Sequence, residues 1–263
     1  MTLFVIHISV ECVQYREAIE IFHLIFLRAF GGRVDKALFA VKGGCNLRFF
    51  HKSIRYSEDM DLDIQTMSVE TLRSNIERIF GTESFAQSLR TQQIQLVRFT
   101  SPKQTSTTQR WKIRLRLVDS GNEIPTKIEF SRRSLEPGSV HEAVDAEIIT
   151  RYRLYPVLVR HYSAATALEQ KVRALALRSE TQARDVFDLK LLIDSKAGPQ
   201  ALRKDVAAKL PRAIENALSI DFAAYAGQVV AYLEPEYQSH FGERRVWNAL
   251  QKQVVDALGA LQS

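Results

Sequence analysis

The side chains best suited to chemistry lie within residues 42–63, KGGCNLRFFHKSIRYSEDMDLD. The segment closes on Asp59, Asp61 and Asp63, with Met60 and Leu62 between them. In an extended strand alternate residues share a face, so the three carboxylates project together while the apolar pair points to a core. Like charges side by side at the end of a buried strand are unfavourable unless a cation neutralises them. Mg²⁺, a hard ion that takes carboxylate and phosphate oxygens, suits that role. Upstream, the apolar run 37–41 reads as a buried strand, and Gly43 and Gly44 stand where it should turn into a helix. Glycine permits both a tight turn and close approach of backbone to a ligand. Residues 46–51 would form the first turns of that helix, whose N-terminal N–H groups suit a phosphate. An isolated Asp-x-Asp is more simply a solvated strand face with incidental aspartates. The glycine turn at a fitting distance upstream favours the metal–phosphate reading.

The order strand, Gly-Gly, helix, then Asp-apolar-Asp resembles the polymerase-beta-type nucleotidyltransferases. The wording K-G-G-C-N-L-R…R-Y-S-E-D-M-D-L-D is more narrowly similar to the AbiEii/AbiGii toxin family of that superfamily. The resemblance implies that Asp59 and Asp61 hold the metal and that a triphosphate lies over Gly43, Gly44 and Ser57, with Lys42 beside them. In one position the chain departs from the pattern: Cys45 stands where a Ser or Thr commonly follows the glycines. A thiol is a weaker hydrogen-bond partner than a hydroxyl, so a side-chain phosphate contact there is in question while the backbone contacts are not.

The elements that must position these groups set the frame. A chain of 263 residues makes one large domain or two small ones, with a substantial core. Hydrophobic residues at 46% and charged residues at 25% are ordinary for a soluble globular protein. Cys12 and Cys45 provide neither a disulfide framework nor a metal-ligand spacing, which fits a reducing cytoplasm. The net charge of +6 modestly favours a polyanionic partner. The apolar stretch 2–10 is too short to span a membrane and lacks the basic start and cleavage site of a secretory signal.

In chain order, residues 12–30 predict a helix with one wide apolar face, ended by Gly31-Gly32. Residues 68–80 predict a second helix, entered at Ser68. Short elements follow at 85–90 and 94–99, then a polar aperiodic loop at 101–109. Residues 111–118 and 126–132 alternate cleanly about Asp119-Ser120-Gly121-Asn122 and predict a β-hairpin. Lys112, Arg114 and Arg116 share a face of its first strand; Lys127, Glu129 and Ser131 share one of the second. Glu129 can be a surface carboxylate paired with Arg114 or Arg116, worth little energetically. Alternatively, Lys127-Ile128-Glu129 resembles the toxin family's K-x-E/D segment, which implies that Glu129 is the third metal ligand or the general base. Asp63 and Asp119 are the alternatives.

From about residue 163 helices dominate. Residues 164–178 are apolar nearly all round and predict a buried helix that carries Lys171 and Arg178 on one side. Arg184-Asp185-Val186-Phe187-Asp188 opens another, where Arg184 can reach Asp188 at i,i+4. A buried ammonium needs a partner, so Lys171 either forms an ion pair with Asp185 or Asp188 that fixes the helical hairpin, or leans to a nucleotide phosphate while an acid steadies it. Lys171-x-x-Ala174-x-x-x-Arg178 followed by Arg184-Asp185-x-x-Asp188 resembles the last two motifs of the toxin family. That implies a phosphate role for Lys171, with Arg48 or Arg55 nearby and Asp185 and Asp188 lining the nucleotide site. Residues 202–261 keep apolar helical spacing and predict a bundle.

The predicted fold is α+β: a nucleotidyltransferase-type mixed β-sheet flanked by helices over 1–160, then a helical domain over 161–263 that completes the site. The resemblance implies an Mg²⁺-dependent (or Mn²⁺-dependent) enzyme transferring a nucleotide from an NTP to an RNA acceptor such as tRNA. It further implies the cytoplasmic toxin of a toxin–antitoxin or phage-defence pair, with a cognate antitoxin and no membrane association. Nucleotidylation of a protein, and a non-catalytic nucleotide-binding module, stay open.

Overall fold

The computed structural model describes residues 10–118, 120–195 and 202–262. Asp119 and the apolar residues 2–9 lie outside them. The described chain divides into two compact units. One holds Val10–Lys52 and Tyr56–Tyr162; the other holds Ser53–Arg55 and the chain from Ser163 onward.

The first unit is built on a seven-stranded mixed sheet. Its elements run α1 (Val10–Gly31), β1 (Phe39–Lys42), α2 (Gly43–Phe50), β2 (Asp59–Ile64), α3 (Val69–Phe80) and α4 (Glu83–Thr91). They continue as β3 (Ile94–Gln104), β4 (Thr108–Leu117), β5 (Glu123–Ser131), β6 (Ser139–Ala143), α5 (Ala146–Arg151) and β7 (Leu158–Tyr162). The spatial order is β3-β4-β5-β2-β1-β7-β6. β2 runs parallel to β5 and β1 parallel to β7; the other neighbours are antiparallel.

α1 covers one face of this sheet because Phe22, Phe26 and Phe30 recur at every fourth position and so form one stripe. All three are fully buried. Phe30 packs against Phe39 of β1 at 4.7 Å and Phe130 of β5 at 5.2 Å between ring centres. Burying each such ring contributes roughly 1.5–3 kcal/mol, so this stripe anchors β1 and β5 on the same helix. Met60, Leu62 and Ile64 of β2 and Ile124, Ile128 and Phe130 of β5 alternate into the same core, and their neighbours point to the opposite face.

The sequence predictions need three corrections here. Residues 36–38 form a 3₁₀ turn, capped by the Asp35 carboxylate on the Ala37 N–H, so β1 starts only at Phe39. α2 begins at Gly43 itself rather than after the glycine pair. Residues 101–109 are no simple loop: β3 runs to Gln104 and β4 starts at Thr108. Register shifts in the β3–β4 pair between Leu96 and Arg98 and between Thr100 and Lys103 break the alternation that marks a strand in sequence.

The second unit is helical: α6 (Ala164–Leu177), α7 (Ala183–Asp194), α8 (Lys204–Ala207), α9 (Leu210–Leu218), α10 (Phe222–Gln228), α11 (Pro235–Phe241) and α12 (Arg244–Ala260). α6 packs on α7 and α9, and α12 on the same two, a four-helix arrangement. The stacked Tyr225 and Trp247 rings, 4.4 Å apart, sit in its core. Residues 53–55 join it through a bridge from Arg55 to Leu233 and the Glu234 N–H donating to the Ile54 carbonyl. No helix among the described residues is long and apolar enough to cross a membrane.

Candidate active site

The site in the first unit lies where β1 gives way to α2 beside the start of β2. β1 and β2 place Lys42 opposite Asp61, and the parallel β2–β5 pair places Asp59 opposite Lys127 and Asp61 opposite Glu129. Every one of these positions points away from the Phe30 core: strand alternation puts Asp59 and Asp61 on one face, and the β2–β5 register adds Glu129 to it.

Gly43 explains why the bend must lack a side chain. Its φ is +66°, a left-handed conformation that costs about 1–2 kcal/mol for residues with a Cβ. A Cβ there would stand 3.1 Å from Asp61 Oδ2. The glycine bend and the central aspartate are therefore in direct apposition. No side chain caps the first turn of α2, leaving its leading N–H groups to an outside acceptor. Gly43→Ala is expected to lower stability slightly and transfer rate by about 10–100-fold, since small misplacements of catalytic groups carry such penalties; an unchanged rate would contradict the apposition.

The carboxylates differ in their partners. Asp59 Oδ2 accepts from Lys127 Nζ at 2.6 Å. Glu129 Oε2 accepts from Arg110 Nε at 2.5 Å. Asp61 makes no ion pair among the described residues; burial raises its carboxyl above the ordinary range, Lys42 and Lys127 partly counter this, and nearby Asp59 and Glu129 add to it. Asp63 is 5% exposed, bonded to Lys42 Nζ at 2.5 Å and to the Tyr162 hydroxyl at 2.7 Å. Both of its oxygens are thus engaged within the protein, whereas Asp59 and Glu129 each hold one cation through a single oxygen. Among the described residues no three His, Cys, Asp or Glu side chains already converge on one point, because Lys127 and Arg110 hold two of the carboxylates. The Arg114 or Arg116 pairing considered for Glu129 is not formed. Register brings Arg110 to it instead, and Arg116 sits opposite Glu123.

A buried layer beneath holds the start of β2. The Ser57 hydroxyl donates to the Asp59 carbonyl at 2.9 Å, and Cys45 Sγ approaches the same oxygen at 3.3 Å. Cys45 is fully buried, and burial pushes its thiol up, so it faces the core rather than a phosphate. His23 Nε2 lies 3.0 Å from Thr126 Oγ1, whose proton goes to the Glu58 carbonyl. Burial drops the imidazole to about 3, so it is neutral and its Nε2–H is the donor. His23, Thr126 and Tyr162 carried no local signal; Lys127 was legible in the K-x-E alternation, though not as the partner of Asp59.

Arg48 does not stand at the glycine turn. It is 4% exposed and grips Glu20 through Nε at 2.7 Å and Nη2 at 3.1 Å, while the Tyr152 hydroxyl donates to the same carboxylate at 2.9 Å.

The Lys171 constellation belongs to the helical unit. Lys171 Nζ bridges Asp185 Oδ1 at 2.9 Å and Asp188 Oδ2 at 2.6 Å. Arg178 Nε reaches Asp185 at 2.8 Å, and Arg55 Nη2 reaches Asp188 at 3.0 Å. Both aspartates are fully buried. Burial opposes the Lys171 charge, but Asp185 and Asp188 outweigh it and hold its pKa up. Asp188 therefore pairs with Lys171 and Arg55, not with Arg184. The structure shows the ion-pair arrangement for Lys171, Asp185 and Asp188.

A mixed sheet that sets a glycine-opened helix against paired aspartates, with a third carboxylate on the parallel neighbour, defines a site of the nucleotidyltransferase class. The chain belongs to the AbiEii nucleotidyl transferase toxin family of type IV toxin–antitoxin systems, which it matches over residues 25–260. Membership implies an NTP substrate and an antitoxin partner. Among solved structures it is similar to JHP933 from Helicobacter pylori, at 18% identity and a TM-score of 0.54 over 97% of this chain and 100% of that one. A second H. pylori protein, proposed to be a nucleotidyltransferase, is 16% identical with a TM-score of 0.56 over the same shares. These likenesses show the fold. No curated protein matches the chain by sequence.

Proposed function

We propose that the protein is a Mg²⁺-dependent toxin of a toxin–antitoxin or phage-defence system that transfers a nucleotide from an NTP to an RNA acceptor such as tRNA, in the cytoplasm. The observation that carries this reading is the 3.1 Å approach of the Gly43 Cβ position to Asp61 Oδ2, a closeness of glycine bend and carboxylate that supports a backbone phosphate cradle beside a metal site.

Three all-oxygen donors, one of them raised first by burial and further by the other two, suit a hard divalent cation in kind. Asp59, Asp61 and Glu129 would hold Mg²⁺, with Mn²⁺ as substitute, whose charge when bound stabilises the attacking and leaving oxygens of an in-line displacement. The N–H groups at Gly43 and Gly44 would bind phosphate oxygens. Lys42 and Lys127, already beside the carboxylates, would offset the remaining triphosphate charge. An acceptor hydroxyl oxygen bonds to the α-phosphorus and the bond to pyrophosphate breaks; the hydroxyl proton passes to water at the site, or to Glu129 where that carboxylate serves as the base instead of the third metal ligand.

Incubation with each α-labelled NTP, Mg²⁺ and either total RNA or lysate protein tests the proposal, with Asp59→Ala as control. Label on RNA, lost in the variant, is the expected result. Label on protein would reassign the acceptor, and NTP binding without transfer would leave a nucleotide-binding module.

A further inference from the structure

On the sheet face that carries the carboxylates, two rows of side chains run outward across three further strands. One is Asp59, Lys127, Lys112, Thr100; the other is Asp61, Glu129, Arg110, Lys103. Away from β2 both rows turn basic. Three cross-strand pairs are cation against cation: Lys112 opposite Lys127, Arg110 opposite Lys103, and Arg114 opposite Arg98. Directly opposed like charges destabilise an antiparallel pair, and here three such pairs adjoin on one face. Some of the charge is answered locally. Arg110 and Lys127 hold Glu129 and Asp59, and Arg98 reaches Glu123 at 3.0 Å. Lys112, Arg114 and Lys103 are exposed, and no ion pair joins them among the described residues.

A solvated strand face explains single cations of this kind. It does not explain three like-charged pairs in register, in each of which one cation is held by a carboxylate and the other is exposed and answered by water alone. A polyanion laid across β3 and β4 would relieve all three. Strands stand about 4.8 Å apart, so the face reaches about 14 Å from β2 to β3, far enough to hold roughly two or three backbone phosphates. It ends beside the carboxylates rather than on a separate surface.

We infer that the β3–β4 face is the binding track of a nucleic-acid acceptor, gripping its phosphodiester backbone and delivering its terminal hydroxyl to Asp59, Asp61 and Glu129. The inference rests on the transferase reading for the delivery step; the binding step stands without it. Backbone contacts read charge rather than sequence, so base discrimination is not assigned to this face.

The full-length protein carrying Lys112→Glu and Arg114→Glu tests it, since neither residue belongs to the carboxylate site. Binding of a tRNA, a single-stranded RNA and a single-stranded DNA of equal length is followed by fluorescence anisotropy over a salt series, beside binding of a fluorescent NTP analogue. The double variant is expected to bind RNA at least about tenfold more weakly. Its log K against log salt slope should flatten by about 1.5, in keeping with two lost phosphate contacts, while NTP binding is unchanged. DNA weakened in parallel would show a track that takes either backbone; RNA alone weakened would show one that also uses the 2′-hydroxyl. Unchanged RNA affinity and slope would overturn the inference, as would a wild-type protein that binds no nucleic acid at low salt. If the variant loses RNA binding but the wild type never labels RNA, the track stands and the acceptor reading falls.

Discussion

Asp61→Asn is expected to lower nucleotidyl transfer by about 10²–10³-fold or more, the range lost when one preorganised electrostatic group is removed from a reacting centre. The same substitution should make the metal-free protein more stable at neutral pH. Asp61 is crowded by Asp59 and Glu129, and its carboxyl lies above the ordinary range, first through burial and further through those neighbours. The folded chain thus keeps this proton to a higher pH than the unfolded chain does. Stability is lost as pH rises from the ordinary carboxylate value through the raised one, and the full penalty persists above it. Asparagine cannot ionise, so the variant should melt higher than wild type at pH 8 and equally near pH 3. Mg²⁺ should raise the wild-type melting temperature through binding to the folded state and leave the variant's almost unchanged. Equal melting temperatures at pH 8, or wild-type transfer by the variant, would remove Asp61 from the centre of the site.

In the helical unit the largest expected effect belongs to Asp188→Ala. Its carboxylate is fully buried and takes Arg55 through both oxygens as well as Lys171. Removing it takes a carboxylate away from two cations at once and leaves Lys171 to share Asp185 with Arg178. Breaking a buried pair from one side typically costs about 3–5 kcal/mol, so urea unfolding should shift by that amount. The change Lys171→Met together with Asp188→Leu should cost much less than the sum of the two singles, because well-packed apolar groups can replace buried ions. The pH dependence runs opposite to that of Asp61. Burial alone would raise Asp188, yet Arg55 and then Lys171 hold it below the ordinary carboxylate range. Its contribution is therefore complete above that range and is lost as pH falls through the depressed value. A loss under about 1 kcal/mol for Asp188→Ala would mean that the cations find other partners.

This network also bears on what Lys171 does. An ammonium bridging two buried carboxylates is a structural tie in the state described. The three cations Arg55, Lys171 and Arg178 outnumber the two aspartates they share. That surplus is tolerable because Arg178 is largely exposed, its side chain 41% accessible.

Whatever depended on one segment and its own periodicity was legible from the residues alone. Alternation of Asp59, Asp61 and Asp63 with Met60 and Leu62 determined which side chains share a face. Gly43 and Gly44 marked a turn between strand and helix, and the spacing over residues 12–30 marked a helix with one wide apolar face. The spacing of Lys171, Asp185 and Asp188 offered an ion pair or a phosphate contact, and it took the packing of the two helices to show the ion pairs. What only the tertiary structure decided was who answers each charge. Strand register gave Asp59 to Lys127 and Glu129 to Arg110, and one residue of slip would have exchanged those faces. Asp63 is engaged by Tyr162, 99 residues away in sequence, and Arg48 by Glu20, which α1 presents to it. A charged side chain announces that it needs a partner; which partner it finds is set by non-local strand pairing and helix packing, and those leave no mark in a single stretch of sequence.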